Sequence, residues 1–461
     1  MTTMAQRRAR RMTLRPAGRL PHIDERGLPR GPRLAYPLQT LMLMRFRHQF
    51  VPAMHRHYGD VFKLRIAPAG RPVVFVRRPE HVREVFAGDP ATFHAGKGNS
   101  ILGPVMGPHS LLLVDGAEHA RARKLLMPPF NGAALHGYRD LVTRIAAAEV
   151  ERWPAGEPVH TLDRMNAVTL EVILRVVFGV TDESRLSRLR PMVNRTVNVG
   201  PVILLGWIYP RLQGHGLWRA YLRNQQALDT ILYTEIAERR RATDLADRGD
   251  VLSRLLRVGG TEDEPGLSDD ELRDQLVTLL LAGHETTASA LSWALYELAR
   301  SPRLLARTQR AVDEDDDTWV EAVLKESMRL HPVIPMVARV LQAPATIAGF
   351  DLPAGVTVAP SILLAHASED NFADHTAFRP ERFLEGPVPP NTWIPFGGGV
   401  RRCIGAGFSL MEGVAVLRQV IGRLDVTRPD GWGTDRPRVR NITSVPHSGA
   451  RILPTPRGAS R

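Results

Sequence analysis

Apolar residues along this chain recur mostly with the period of a helix. That period dominates from 117 to about 258, most clearly in Glu118–Leu126, Tyr138–Trp153 and Gln225–Ala242. The longest helical stretch reads from Asp269 to Arg300. Ser268, Asp269, Asp270 and Glu271 form a capping box at its start, and Ser301-Pro302 stops it. A helix of that length spans about 48 Å. Leu276, Leu279, Leu280, Leu281, Leu291 and Leu295 make it largely buried, so it must cross the whole domain. Shorter helices are expected over Leu38–Phe50 and Pro79–Phe86, and Gly96–Gly107 reads as a glycine-punctuated loop. Strand alternation occurs at Val73 and Phe75 and returns only over Ala345–Ala359 and near the C-terminus. The expected class is mainly α with a minor β part.

Composition narrows the range of functions. With 461 residues, 43% hydrophobic and 24% charged, the chain can bury a large core, which excludes a disordered or fibrous protein. Residues 1–28 hold Arg7, Arg8, Arg10, Arg11, Arg15 and Arg19, with Pro16 and more arginine where a signal peptide needs apolar residues. They are expected to be an uncleaved, mobile basic tail, and 29–461 a single domain. No run of about 18 apolar residues occurs, so no membrane span is expected. One cysteine permits no internal disulfide, which fits a reducing cytoplasm. Only four of the 61 basic residues are lysine, a bias typical of GC-rich bacterial genomes. The net charge of +13 suits nucleic acid, an anionic membrane surface or an acidic protein partner. Zinc-knuckle spacing, an aromatic RNA-binding signature and a recognition helix are all lacking, which argues against nucleic acid.

Two segments carry candidate chemistry. Gly283-His284-Glu285-Thr286-Thr287 places a glycine, an acid and hydroxyls in the middle of the apolar helix, where each costs free energy unless compensated. A threonine hydroxyl turned onto the carbonyl four residues back, Ala282 for Thr286, would bend the helix and open a notch able to hold dioxygen and waters. Hydrogen bonding to a neighbouring helix is the plainer alternative. The single cysteine, Cys403, lies in Phe396-Gly397-Gly398-Gly399-Val400-Arg401-Arg402-Cys403-Ile404-Gly405. Glycines there let backbone N–H groups approach a sulfur, and arginines favour its ionised form.

This decapeptide resembles the haem-binding loop of cytochromes P-450: Phe, Gly, any, Gly, any, Arg, any, Cys, any, Gly. All six fixed positions match. Glu326-Ser327-Met328-Arg329 is similar to the family's Glu-x-x-Arg motif, and Pro380-Glu381-Arg382-Phe383 to its Pro-Glu-Arg-Phe segment. Ala282-Gly283-His284-Glu285-Thr286 resembles its oxygen-activating stretch. The resemblance covers nearly the whole chain, apart from a short acidic connection between Thr308 and Trp319 where many members carry a longer helix.

The resemblance implies the P-450 fold, an α-rich lobe around a long central helix with a smaller β-rich lobe. It implies haem b with Cys403 as axial iron ligand, and Phe396, Ala282 and Gly283 beside the macrocycle. His119, Arg123, Arg339 and Arg401 match positions that neutralise the haem carboxylates. Thr286 and Glu285 are the implied catalytic pair, handling dioxygen and protons. Glu326, Arg329 and Arg382 are implied to form a buried network holding the cysteine loop. The implied reaction is insertion of one oxygen atom from O2 into a lipophilic molecule, such as a terpenoid or fatty acid. Ile101, Leu102, Val105 and Met106, the stretch Val202–Tyr209, and Val333–Val337 would line the pocket, each being equally readable as core. Almost all residues belong to the haem domain, so a separate acidic ferredoxin or flavodoxin with its reductase is expected, meeting Arg121, Lys124 and Arg402. A monomer is expected. A non-catalytic haem sensor or electron-transfer protein would share the loop but has little use for Gly283, Glu285 and Thr286.

Overall fold

The computed structural model describes residues 23–458 apart from 68, 180–182, 198–215, 259–264, 430 and 441. Residues 1–22 of the expected tail and the stretch Val202–Tyr209 lie outside the described residues. The principal helices, in chain order, are α1 (Tyr36–Tyr58), α2 (Pro79–Phe86), α3 (Gly116–Leu126), α4 (Gly132–Val150), α5 (Thr161–Phe178), α6 (Gly216–Arg241), α7 (Asp269–Gly283), α8 (Glu285–Arg300), α9 (Asp317–Leu330) and α10 (Ala406–Arg423). The expected mainly α class with a minor β part is what forms. The described chain divides into two compact units, one of 96–129 and 173–282, the other of 23–95, 130–172 and 283–461.

All strands of the described residues belong to the second unit. Its main sheet joins β1 (Val61–Ile66), β2 (Arg71–Val76), β3 (Phe93–His94), β5 (Arg339–Leu341) and β8 (Thr357–Pro360) in the order β1-β2-β8-β5-β3. Only the β2–β8 pair is parallel. Phe62 opposes Phe75 in the β1–β2 register and stacks on it at 5.1 Å, the kind of cross-strand pair that fixes a register. One sheet face packs Val74, Val76, Leu341 and Val358 against Val85 of α2, and the other packs Phe62, Leu64 and Phe75 against Leu43, Phe50 and Val51 of α1. Ile23 and Leu28, expected within the tail, join the first of these clusters, and Glu25 pairs with Lys63. A second, three-stranded sheet orders β4 (Val159–His160), β12 (Arg451–Pro456) and β9 (Leu424–Thr427). Two hairpins complete the strands, β6 (Ala345–Ile347) with β7 (Phe350–Leu352) and β10 (Pro437–Arg440) with β11 (Thr443–Pro446).

The helical core of this unit is α8, α9 and α10. Every residue of α8 from Thr287 to Ala299 is buried. Leu291 and Leu295 are fully enclosed, each adding roughly 1.5–3 kcal/mol by burial. Helices α9 and α10 approach so closely at Gly413 that a Cβ there would lie 2.3 Å from Leu324 Cδ2.

The other unit is helical throughout its described residues. Arg239 of α6 is buried and fully engaged, donating to Asp250, Glu235, Ser253 and the Phe178 carbonyl. Asp274 of α7 accepts from the His109 amide at 3.0 Å and from Arg273 at 2.9 Å. Gly107, at φ +89°, lies where a Cβ would strike Asp274 Oδ1 at 2.0 Å. The expected Gly96–Gly107 loop is thereby pinned to α7, as short helical turns rather than open loop. The capping box forms as read, with Ser268 N donating to Glu271 Oε2 and Glu271 N to Ser268 Oγ.

The one long helix expected over Asp269–Arg300 is two helices, α7 and α8, parted at His284 (φ −101°, ψ −52°). Gly283 weakens the helix by about 1 kcal/mol relative to alanine. Thr169 Oγ1 of α5 inserts a donor at the His284 carbonyl, 3.0 Å away, which also accepts from Ala288 N.

Candidate functional site

Cys403 lies at the end of a tight loop immediately before α10, and it is exposed. Its amide donates to the Phe396 carbonyl at 2.9 Å, closing the loop across Gly397–Arg402. Gly397 and Gly399 sit at φ +65° and +64°, a region where a side chain strains the backbone. Gly398 and Gly399 press on the end of α2: a Cβ at Gly398 would lie 2.1 Å from the Phe86 ring, and one at Gly399 would lie 2.1 Å from the Phe86 carbonyl oxygen. Arg339, buried at the start of β5, holds its guanidinium 5.9 Å from the centre of the same Phe86 ring. Arg401 is half-buried within the loop. The motif glycines are therefore steric requirements of a loop clamped against α2.

Behind the loop, Glu326 and Arg329 of α9 are both almost wholly enclosed. Arg329 donates Nε and Nη2 to the two Glu326 oxygens at 2.7 and 2.8 Å. Its remaining donors reach the carbonyls of His366, His375 and Ala377, so all five N–H groups have acceptors. Arg382 Nε and the Arg379 amide complete Glu326 at 3.1 and 2.8 Å. The network continues through a residue that sequence reasoning missed. His366, whose carbonyl Arg329 holds, accepts the Ile394 amide on Nε2 at 2.9 Å. The Ile394 carbonyl accepts Gly397 N, one residue from the carbonyl that closes on Cys403. Burial, with Arg329 nearby, pushes His366 down to about 3, which keeps the ring neutral and its Nε2 an acceptor. A continuous relay thus runs from Glu326 to the cysteine loop.

Glu285, the first residue of α8, is buried and faces the β10–β11 hairpin. Arg440 Nε lies 3.1 Å from its carboxylate, and Thr443 Oγ1 donates to it at 3.5 Å. Burial raises its pKa, and Arg440 and then Thr443 oppose that rise. Thr286 is half-buried. Thr287 Oγ1 lies 3.1 Å from Ser409 Oγ of α10, tying the polar start of α8 to the helix that follows Cys403.

Glu412, one turn beyond Ser409, is fully enclosed, and its carboxyl forms no ion pair among the described residues. Burial raises its pKa well above the ordinary 4.5, Thr287 alone opposing the shift. Its folded form therefore keeps a proton that the unfolded chain releases from about pH 4.5 upward, so this group lowers stability as pH rises through that range. Glu412→Gln is expected to be increasingly stabilising relative to the parent above pH 4.5, by up to about 1.4 kcal/mol per pH unit until the folded carboxyl itself ionises. Urea midpoints of both proteins at pH 4.5 and 7.5 check this, and a gap that does not change with pH contradicts it.

Several of the remaining expected residues lie in the other unit. His119 is buried on α3, with Arg123 one turn further on, and Ala282 is exposed near the end of α7. Arg121, expected to meet a redox partner, is committed internally to Glu271 at 2.6 Å and to the carbonyls of Pro265 and Gly266. Lys124 and Arg402 are exposed. Of the expected pocket residues, Val105 and Met106 are buried and Ile101 is exposed. In the second unit, Ile334 and Val337 pack against the core cluster around Val82 and Ile362, which favours the core reading for both.

The donor set fits haem. Among the described residues no group of three or more His, Cys, Asp or Glu could hold a bare metal ion. A lone exposed thiolate can still serve as fifth ligand to an iron already held by four macrocycle nitrogens. The glycine loop leaves no side chain at 397–399 to block such a ring. The cytochrome P450 family model matches residues 27–441. A Mycobacterium tuberculosis protein named cytochrome P450 135A1 is 53% identical over 93% of this chain and 96% of its own length. The Mycobacterium bovis cytochrome P450 135B1 is 42% identical over 92% of this chain and 91% of its own. The structure of retinoic acid bound cyanobacterial CYP120A1 superposes with a TM-score of 0.82 at 25% identity, covering 93% of this chain and 100% of that one. The glycine-clamped cysteine, the buried glutamate–arginine network behind it and these likenesses lead to one assignment: the chain belongs to the cytochrome P450 family of haem-iron monooxygenases.

Proposed function

We propose that the protein uses haem b, ligated by Cys403, to hydroxylate a lipophilic small molecule, with electrons from a separate acidic ferredoxin or flavodoxin and its reductase. The observation that carries this reading is the Cys403 loop, exposed at its thiol and held in shape by Phe86 and the Glu326 relay. Haem bound through a thiolate supplies the activation of dioxygen needed to place one oxygen atom in a C–H bond. Arg339, Arg401, His119 and Arg123 would neutralise the haem carboxylates. Phe396, Ala282 and Gly283 would bound the ring.

Glu285 is suited to moving protons, because burial raises its pKa while Arg440 stabilises its ionised form. Arg440, partly exposed, would give that carboxylate a route to solvent, and Thr286 would orient the oxygen end. Thr286→Ala is expected to lower product formed per electron consumed by about tenfold or more while leaving substrate affinity unchanged. Product and reduced-nicotinamide consumption measured together check it, and unchanged coupling contradicts the role.

A terpenoid or fatty acid is the expected substrate class, supported by the apolar 101–106 segment and by the retinoic acid bound to the cyanobacterial relative. With its only cysteine engaged on iron, the chain has none left for a disulfide, which supports a monomer working in the reducing cytoplasm. The carbon monoxide difference spectrum of the dithionite-reduced protein is the test. A Soret band shifted far to the red supports thiolate ligation, and a band at the wavelength of histidine-ligated haem, or no band, rejects it.

A further inference from the structure

Helix α1 is apolar on two sides. Its inward face packs Leu43, Phe50 and Val51 and also buries Gln39 and Arg47. Its outward face carries Leu38, Leu41 and Met44, at 44%, 56% and 40% exposure. With Leu34, Tyr36 and Phe46, six of the twelve exposed large hydrophobic side chains among the described residues fall within 34–46. Leu38, Leu41 and Met44 recur at every third position of the helix, which places them on neighbouring turns of its exposed side, and apolar patches of that kind mark interaction sites. Ile442, 44% exposed at the β10–β11 turn, adds an exposed apolar side chain on a segment tied to this helix, its carbonyl accepting from Arg47.

A basic cleft adjoins this patch. It is lined by Arg45, Phe46 and His48 of α1 and by Arg436, Arg438 and His447. Arg45, Arg436 and Arg438 form no ion pair among the described residues. The nearby Asp435 is buried, and its carboxylate is taken up by the amides of Arg436, Ser448 and Ala450. Residues 27–58 contain five arginines and no acid. A second copy of the chain would fit poorly, since a two-fold contact would set these arginines against each other with no acid on the patch to pair them.

We propose that this face docks on an anionic lipid bilayer. Leu38, Leu41 and Met44 enter the boundary between headgroups and acyl chains, and the Arg45–Arg436–Arg438 cleft receives lipid phosphates. An apolar stripe flanked by unpaired arginine is what an interfacial helix needs, and it places a protein that oxidises lipophilic molecules where they dissolve.

The test is flotation of the intact, haem-loaded chain with vesicles of equal parts phosphatidylglycerol and phosphatidylcholine, against vesicles of phosphatidylcholine alone. The chain is expected to float with the first and not the second. The double variants Leu41→Glu/Met44→Glu and Arg436→Glu/Arg438→Glu are each expected to lower the bound fraction at least tenfold, with the carbon monoxide spectrum unchanged as the control for folding. Absence of binding to phosphatidylglycerol vesicles overturns the proposal. So does binding undiminished in both variants, which assigns the attraction to charges elsewhere, such as the arginines of residues 1–22. Loss of a dimer in the variants, with no vesicle binding by the parent, makes the face a self-association surface instead and likewise overturns it.

Discussion

Cys403→Ser is expected to abolish the red-shifted carbon monoxide band and to lower turnover at least about 10³-fold, some 4 kcal/mol of barrier. Serine is nearly isosteric and retains the amide that closes onto the Phe396 carbonyl, so the loop should keep its shape. The thiolate's ability to donate electron density to iron is what disappears. With only one cysteine in the chain, no other thiolate can replace it. Reduced spectra, haem content and turnover measured on the same preparation check this. A variant that keeps the red-shifted band would require a different ligand and would sink the proposed role of Cys403.

The largest loss of stability is expected from Arg329→Ala. Glu326 would then sit at zero exposure with its main counter-charge removed, and three backbone carbonyls would lose their donor. Breaking a buried pair in this way costs about 3–5 kcal/mol. Because the relay passes through His366 and Ile394 to the cysteine loop, haem retention should fall together with the melting temperature. Arg329→Lys is not expected to rescue, since a single ammonium cannot reach five acceptors lying in a planar fan. Haem content and thermal unfolding of both variants are the measurements. Parent-like values for Arg329→Ala would show that the network does not hold the loop.

Much of this arrangement was legible in the sequence because its signals are local. The capping box at Ser268, the α2 helix, the cysteine loop and the Glu326–Arg329 pair each lie within a few residues, where spacing alone specifies geometry. The illegible parts depend on partners far along the chain. Glu285 meets Arg440 and Thr443, about 155 residues later, and nothing around either segment announces the other. His366 looked like any histidine in a short helix until its carbonyl and ring were seen to serve two different segments. At the break, the His284 carbonyl also receives the Thr169 hydroxyl from another helix, a contact that no periodicity encodes. Helix α1 also runs past the expected Phe50 and through Pro52 to Tyr58, with a kink at Phe46.

The contact between Phe86 and Gly399 has a temporal consequence. The two residues are separated by more than three hundred positions, and the loop's left-handed turns press against the end of α2. A ribosome adds roughly 5–20 residues per second, so α2 emerges roughly 15–60 s before the glycines it must clamp. Throughout that interval the nascent chain has no ordered place for its prosthetic group. Loading therefore cannot precede emergence of the cysteine loop, and the yield of active protein should respond to haem supplied after that point.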